Sequence, residues 1–219
     1  MGGALAMAFA RWFPQLVNNI VLLAPGGLYN ELPPEYRAYS LRYSWLFPKQ
    51  YVIEYIRGLL NGQQSTNYGW SWLLPHAVSG ASQPLIEAQK QDYLDVAGIV
   101  NWEIDHHPGF VESVSSALQY APVVRQNAVW TEVRQHIEGI SDMVLPLETT
   151  NRLEGTKLLL LLGKADVVLH KGYQKDVEQI LGQQNLIIHE FEGGHTFPIL
   201  HGQQVGSVIL DHWSSSPQV

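Results

Sequence analysis

Five consecutive leucines, Leu158–Leu162, stop abruptly at Gly163. Leucine on its own favours helix. A run this short, closed by glycine, reads instead as a strand buried on both faces. Lys157–Leu162 is therefore expected to be a strand. A second short run, Leu186–Phe191, follows after one helical stretch, Lys171–Leu181. Tyr173, Val177, Ile180 and Leu181 share a face of that helix, and Gly182 supplies its stop. A third run, Ile20–Leu23, closes on Pro25-Gly26-Gly27. Pro198–Trp213 reads as a closing helix with proline in its first turn and Val205, Val208, Ile209 and Trp213 inward. Strands alternating with helices imply parallel pairing with right-handed crossovers, so the expected class is α/β.

Two other regions frame these strands. Ala4–Phe13 suits a helix with Leu5, Phe9, Trp12 and Phe13 near one face, ended by Pro14. Residues 30–152 have another texture: five of the seven tryptophans (Trp45, Trp70, Trp72, Trp102, Trp130) and eight of the ten tyrosines lie there, broken by Pro and Gly. Tyr36–Leu46 and Gln50–Leu60 look like amphipathic helices. The aromatics can form the insertion's own core or also line a pocket for an apolar group, and the two readings are compatible. The division expected is a core of residues 1–29 and 153–219, with residues 30–152 a helical insertion.

The chain of 219 residues is long enough for one good core plus such an insertion. A net charge of −7 and the absence of a basic stripe argue against nucleic acid as a partner. No apolar run approaches the roughly 20 residues of a membrane span. The opening MGGALAMAFARWF lacks the basic region and cleavage site of a signal peptide and reads as a helix, which leaves the cytoplasm as the default compartment. With no cysteine, disulfides, thiolate metal sites and a cysteine nucleophile are excluded. His106 and His107 are adjacent and lack metal-site spacing with a carboxylate. His136, His170, His189, His201 and His212 show no partner pattern. No metal or organic cofactor is implied.

Three short motifs stand out, one at the start of the chain and two just after expected strands. The chain opens Met1-Gly2-Gly3-Ala4 and runs straight into a helix. That is how a glycine-rich helix start looks, and also how the tail of a nucleophile elbow looks, where the strained turn needs small neighbours. After the leucine strand comes Gly163-Lys164-Ala165-Asp166. A loop aspartate after a strand is equally a cap or turn residue. After the next strand comes Glu192-Gly193-Gly194-His195.

In this order the three motifs resemble the α/β-hydrolase family. Met1-Gly2-Gly3 is similar to the end of its Gly-x-Ser-Met-Gly-Gly elbow, Gly163-x-x-Asp166 to its acid loop, and Gly194-His195 to its histidine loop. The resemblance implies a partial α/β-hydrolase fold: the C-terminal parallel strands of the sheet plus an inserted helical lid over residues 30–152. It implies Asp166 as the acid that orients the imidazole and His195 as the general base. Met1 takes the oxyanion-hole position just after the nucleophile, and Gly2 and Gly3 are the elbow glycines. The implied partner is a small apolar molecule with an ester, amide or similar acyl bond. The resemblance places the nucleophilic serine immediately ahead of Met1; Ser40, Ser44, Ser71, Ser79 and Ser141 lie on no strand-to-helix elbow. Members with an aspartate nucleophile usually carry a bulky aromatic after it, so the Met-Gly-Gly start favours serine. As it stands the chain is expected to be inactive. The alternative is a non-catalytic remnant that binds a small apolar ligand. The resemblance also implies that Ile20–Leu23 would pair on its far side with a strand ahead of Met1. The isolated chain is therefore expected to self-associate through that exposed edge.

Overall fold

A computed structural model of the chain describes residues 1–31, 53, 96–142, 150–166 and 168–215. The protein divides into two compact units, one of Met1–Glu31 with Pro122–Val219 and one of Leu32–Ala121.

The first unit is built on three parallel strands, β1 (Val21–Leu23), β2 (Leu158–Gly163) and β3 (Leu186–Phe191), side by side in that order. Val21 is in register with Leu159, and Leu158 with Leu186. The leucine run is the central strand and all six of its residues are buried. Main-chain partners on both edges and apolar layers on both faces hold it extended, overriding leucine's helical preference. The class is α/β, as the alternation of elements implies.

Helices α1 (Gly2–Trp12), α4 (Asn127–Ile137), α5 (Tyr173–Leu181), α6 (Phe197–Leu200) and α7 (Gly202–Ser215) complete this unit. Helix α4 packs against both α1 and α5. It contributes Trp130, Val133 and Ile137 to the core that surrounds the leucines. The sequence groups Trp130 with the aromatics of residues 30–152, yet the chain rejoins the sheet-bearing unit at Pro122. The reason is the amphipathic face of α4, where Val129, Trp130, Val133 and Ile137 recur at helical spacing and are buried. Polar bonds fix the same packing. Arg11 meets Glu132 at 2.5 Å. His136 Nε2 donates to the Arg11 carbonyl at 2.9 Å, satisfying an end group of α1.

Helix α1 does not bury the face that carries its large apolar residues. The large residues Leu5, Phe9 and Trp12 are 57, 48 and 56% exposed, and Phe13 also faces outward. The buried face is Ala4, Met7 and Ala10. Close approach to the sheet explains the choice. A Cβ placed on Gly3 would lie only 2.5 Å from the Pro25 Cβ, so only small side chains fit at this contact.

The second unit holds α2 (Val96–His106) and α3 (Phe110–Tyr120), with a small apolar cluster centred on Ile104 and Val111. The amphipathic stretches Tyr36–Leu46 and Gln50–Leu60 lie outside the described residues except for Ile53, as do Trp45, Trp70 and Trp72. Among the described residues, no helix is long and apolar enough to cross a membrane.

The buried face of α1 gives a direct test. Met7→Ala is expected to cost about 2–5 kcal/mol, the usual range for a buried truncation of this size. Leu5→Ala is expected to change stability by less than about 0.5 kcal/mol. Urea unfolding of the two variants measures both, and the reverse ranking would show that the large residues face the core.

Candidate active site

The C-terminal ends of parallel strands are where loops can converge without crossing the sheet. At this edge the loops after β2 and β3 are stitched together. The Lys164 amide donates to the Phe191 carbonyl at 2.9 Å, and the Ala165 amide to the Gly193 carbonyl at 2.9 Å. Lys164 also pairs with Glu192, whose carboxylate pushes the lysine ammonium above its ordinary pKa. The loops meet so closely that no side chain fits at Gly163. A Cβ there would stand 2.5 Å from the Gly194 carbonyl oxygen.

Asp166 follows the turn that ends β2. Its side chain is 3% exposed and carries three hydrogen bonds. Oδ1 accepts from the Val168 amide at 2.8 Å and the Leu169 amide at 3.1 Å. Oδ2 lies 2.8 Å from Nδ1 of His195. Burying a carboxylate is costly unless its lone pairs are met, and here the backbone meets one oxygen while the imidazole meets the other.

His195 sits in the tight loop between β3 and α6. Gly193 takes φ +97°, a left-handed conformation that glycine adopts without strain. The Phe197 amide closes the turn onto the Gly194 carbonyl at 3.0 Å. Phe191 and Phe197 stack with ring centres 5.3 Å apart, and His201 Nε2 donates to the Glu192 carbonyl at 2.8 Å. These contacts hold both ends of the loop. A carboxylate can only accept, so Nδ1 of His195 carries the proton and Nε2 presents its lone pair. The imidazole is 42% exposed, and among the described residues Nε2 makes no hydrogen bond. The arrangement is a base with an open nitrogen, oriented by a buried acid.

The other residues singled out by the sequence open helix α1. Gly3 packs against Pro25 just past the end of β1, whereas a Cβ on Gly2 would meet open space. The Met1 carbonyl accepts from the Ala4 amide at 3.0 Å at the start of α1. Asp166 and His195 are brought into contact. Met1, Gly2 and Gly3 make no hydrogen bond to that pair among the described residues.

Sequence reasoning missed several partnerships. His170, given no partner, pairs with Asp176 at 2.6 Å across the Gly172 turn. His136 and His201 each bond to a main-chain carbonyl. Tyr29 reaches the Val168 carbonyl, 139 residues away in sequence. Such carbonyl partners carry no side-chain signature, so no pattern of residue types could have shown them. Among the described residues no group of three His, Asp or Glu could hold a metal ion.

Compared with known proteins, the chain matches no family model, no curated protein and no solved structure.

The tight seam between the loops predicts opposite signs for one substitution at two places. Gly163→Ala is expected to cost about 1–3 kcal/mol by overpacking. Gly206→Ala, in α7 with open space around it, is expected to gain about 0.5–1 kcal/mol through helix propensity. Chemical denaturation of both variants measures the contrast.

Proposed function

We propose that this chain carries the acid–base half of a serine hydrolase of the α/β-hydrolase type. In this reading His195 is the general base, Asp166 its orienting acid, and the nucleophile a serine directly ahead of Met1. The substrate is a small apolar molecule with an ester, amide or similar acyl bond. The helical unit within residues 30–152 serves as a lid. The observation that carries the proposal is the buried Asp166 carboxylate held by two backbone amides and offered to Nδ1 of His195 at the C-terminal edge of a parallel sheet. The support is chemical: such a pair fixes the imidazole tautomer and leaves Nε2 to act.

The steps follow from those roles. Nε2 of His195 takes the proton of the serine hydroxyl as oxygen attacks the acyl carbon. The imidazolium formed is stabilised by Asp166 and gives its proton to the leaving group. Water, activated by the same Nε2, then releases the acyl group. The amide of Met1 is one donor to the oxyanion.

The test uses p-nitrophenyl esters of several chain lengths. The 219-residue chain alone is expected to show no turnover above background and no labelling by a fluorophosphonate. In a protein with Gly-x-Ser directly ahead of Met1, turnover is expected. There His195→Ala should lower kcat by about 10⁶ and Asp166→Asn by about 10⁴. Fluorophosphonate labelling of the 219-residue chain would place the nucleophile on one of its own serines and sink this assignment.

A further inference from the structure

The loop that follows Asp166 is held from a distant part of the chain. The Tyr29 hydroxyl donates to the Val168 carbonyl. That carbonyl and the Leu169 N–H belong to one planar peptide group and point in opposite directions across it. The Leu169 N–H is one of the two donors to Asp166 Oδ1, at 3.1 Å. Five groups therefore stand in line: the Tyr29 hydroxyl, the 168–169 peptide, the two oxygens of Asp166, and Nδ1 of His195.

Such a line does two things. Holding the carbonyl end of a rigid peptide fixes the direction of its N–H, and so the plane in which the carboxylate can lie. Donation to the carbonyl also polarises the peptide and strengthens the bond that its N–H makes. Tyr29 is itself well fixed. The Arg125 amide donates to its carbonyl at 2.7 Å, and its ring meets His170 edge-on with centres 5.4 Å apart. His170 is tethered in turn to Asp176. The hydroxyl therefore approaches the peptide from a braced position.

We propose that Tyr29 is a positioning residue for the acid, acting on Asp166 through the 168–169 peptide. The inference rests on the reading of Asp166 and His195 as an acid–base pair. Tyr29 touches neither the imidazole nor a reacting atom. Its effect is on the geometry and strength of the bond from Asp166 to Nδ1.

The experiment is proton NMR of the 219-residue chain labelled with ¹⁵N-histidine. The Nδ1–H proton of His195 is expected as a downfield resonance that disappears in Asp166→Asn and in His195→Gln. In Tyr29→Phe the resonance should persist, shift, and exchange with water about fivefold faster, the factor expected from losing one neutral hydrogen bond. A hydroxyl with a merely structural role would lower the melting temperature and leave shift and exchange rate unchanged, which would overturn the proposal. A resonance missing from the parent chain, or indifferent to Asp166→Asn, would instead sink the acid–base reading itself. Should Tyr29→Phe fail to fold, difluorotyrosine at position 29 replaces it. Its more acidic hydroxyl donates more strongly and is expected to slow the exchange, and an unchanged rate would overturn the proposal.

Discussion

A strand of leucines has no face that water tolerates, and burying β2 on every side organises the sheet-bearing unit. Leu159, Leu160 and Leu161 retain no exposed surface. Their main-chain groups must then be met within the protein, which β1 and β3 accomplish from either edge. Their side chains must be covered on both faces, which draws Met7, Trp130, Val133, Val177 and Leu181 into one cluster. Because the strands are parallel, the loops that leave β2 and β3 emerge on one edge. The polar chemistry of the candidate site is thus a consequence of where an entirely apolar strand ends.

Much of this was legible in the sequence. Short apolar runs closed by Gly or Pro located the three strands, and their alternation with helices gave the parallel direction. Asp166 and His195 were singled out by the resemblance of their loops to the α/β-hydrolase motifs; their places after strand ends left Asp166 equally a turn residue. The exposed side of α1 was not. Hydrophobic periodicity weighs large residues most, and Leu5, Phe9 and Trp12 dominate the pattern. The contact at Gly3 and Pro25 selects small ones instead, and only the backbone separation reveals that. The place of α4 was hidden for a related reason: composition ties Trp130 to the tryptophans before it, whereas packing ties it to the leucines after it. Fold class was open to reading because it follows from burial patterns, while helix orientation follows from distances.

The Asp166–His195 pair shows how a buried charge can be accommodated by main chain. Of all substitutions only proline removes a backbone amide donor, so the acid's first oxygen is secured by any sequence that keeps the turn and places no proline at 168 or 169. The second oxygen depends on the seam between two loops, and that seam depends on the lack of a side chain at Gly163. A buried carboxylate with one free oxygen would favour separation of the loops, and the imidazole removes that tendency. The pair therefore helps to hold together the loops that create it.

The bond from Tyr29 to Val168 spans 139 residues, which in an open chain would carry a large closure entropy. Most of that entropy is already lost when β1 joins β2. Leu23 stands opposite Leu161, so Tyr29 lies six residues beyond Leu23 and Val168 seven beyond Leu161. The remaining circuit is about a tenth of the full length, a saving of about 2 kcal/mol. The tether therefore forms at little entropic cost once the sheet is zipped, and it is lost whenever β1 lifts away. Since β1 contributes only three residues to the sheet, this one support of the acid loop depends on the shortest pairing in the sheet, while the bonds to the β3 loop do not.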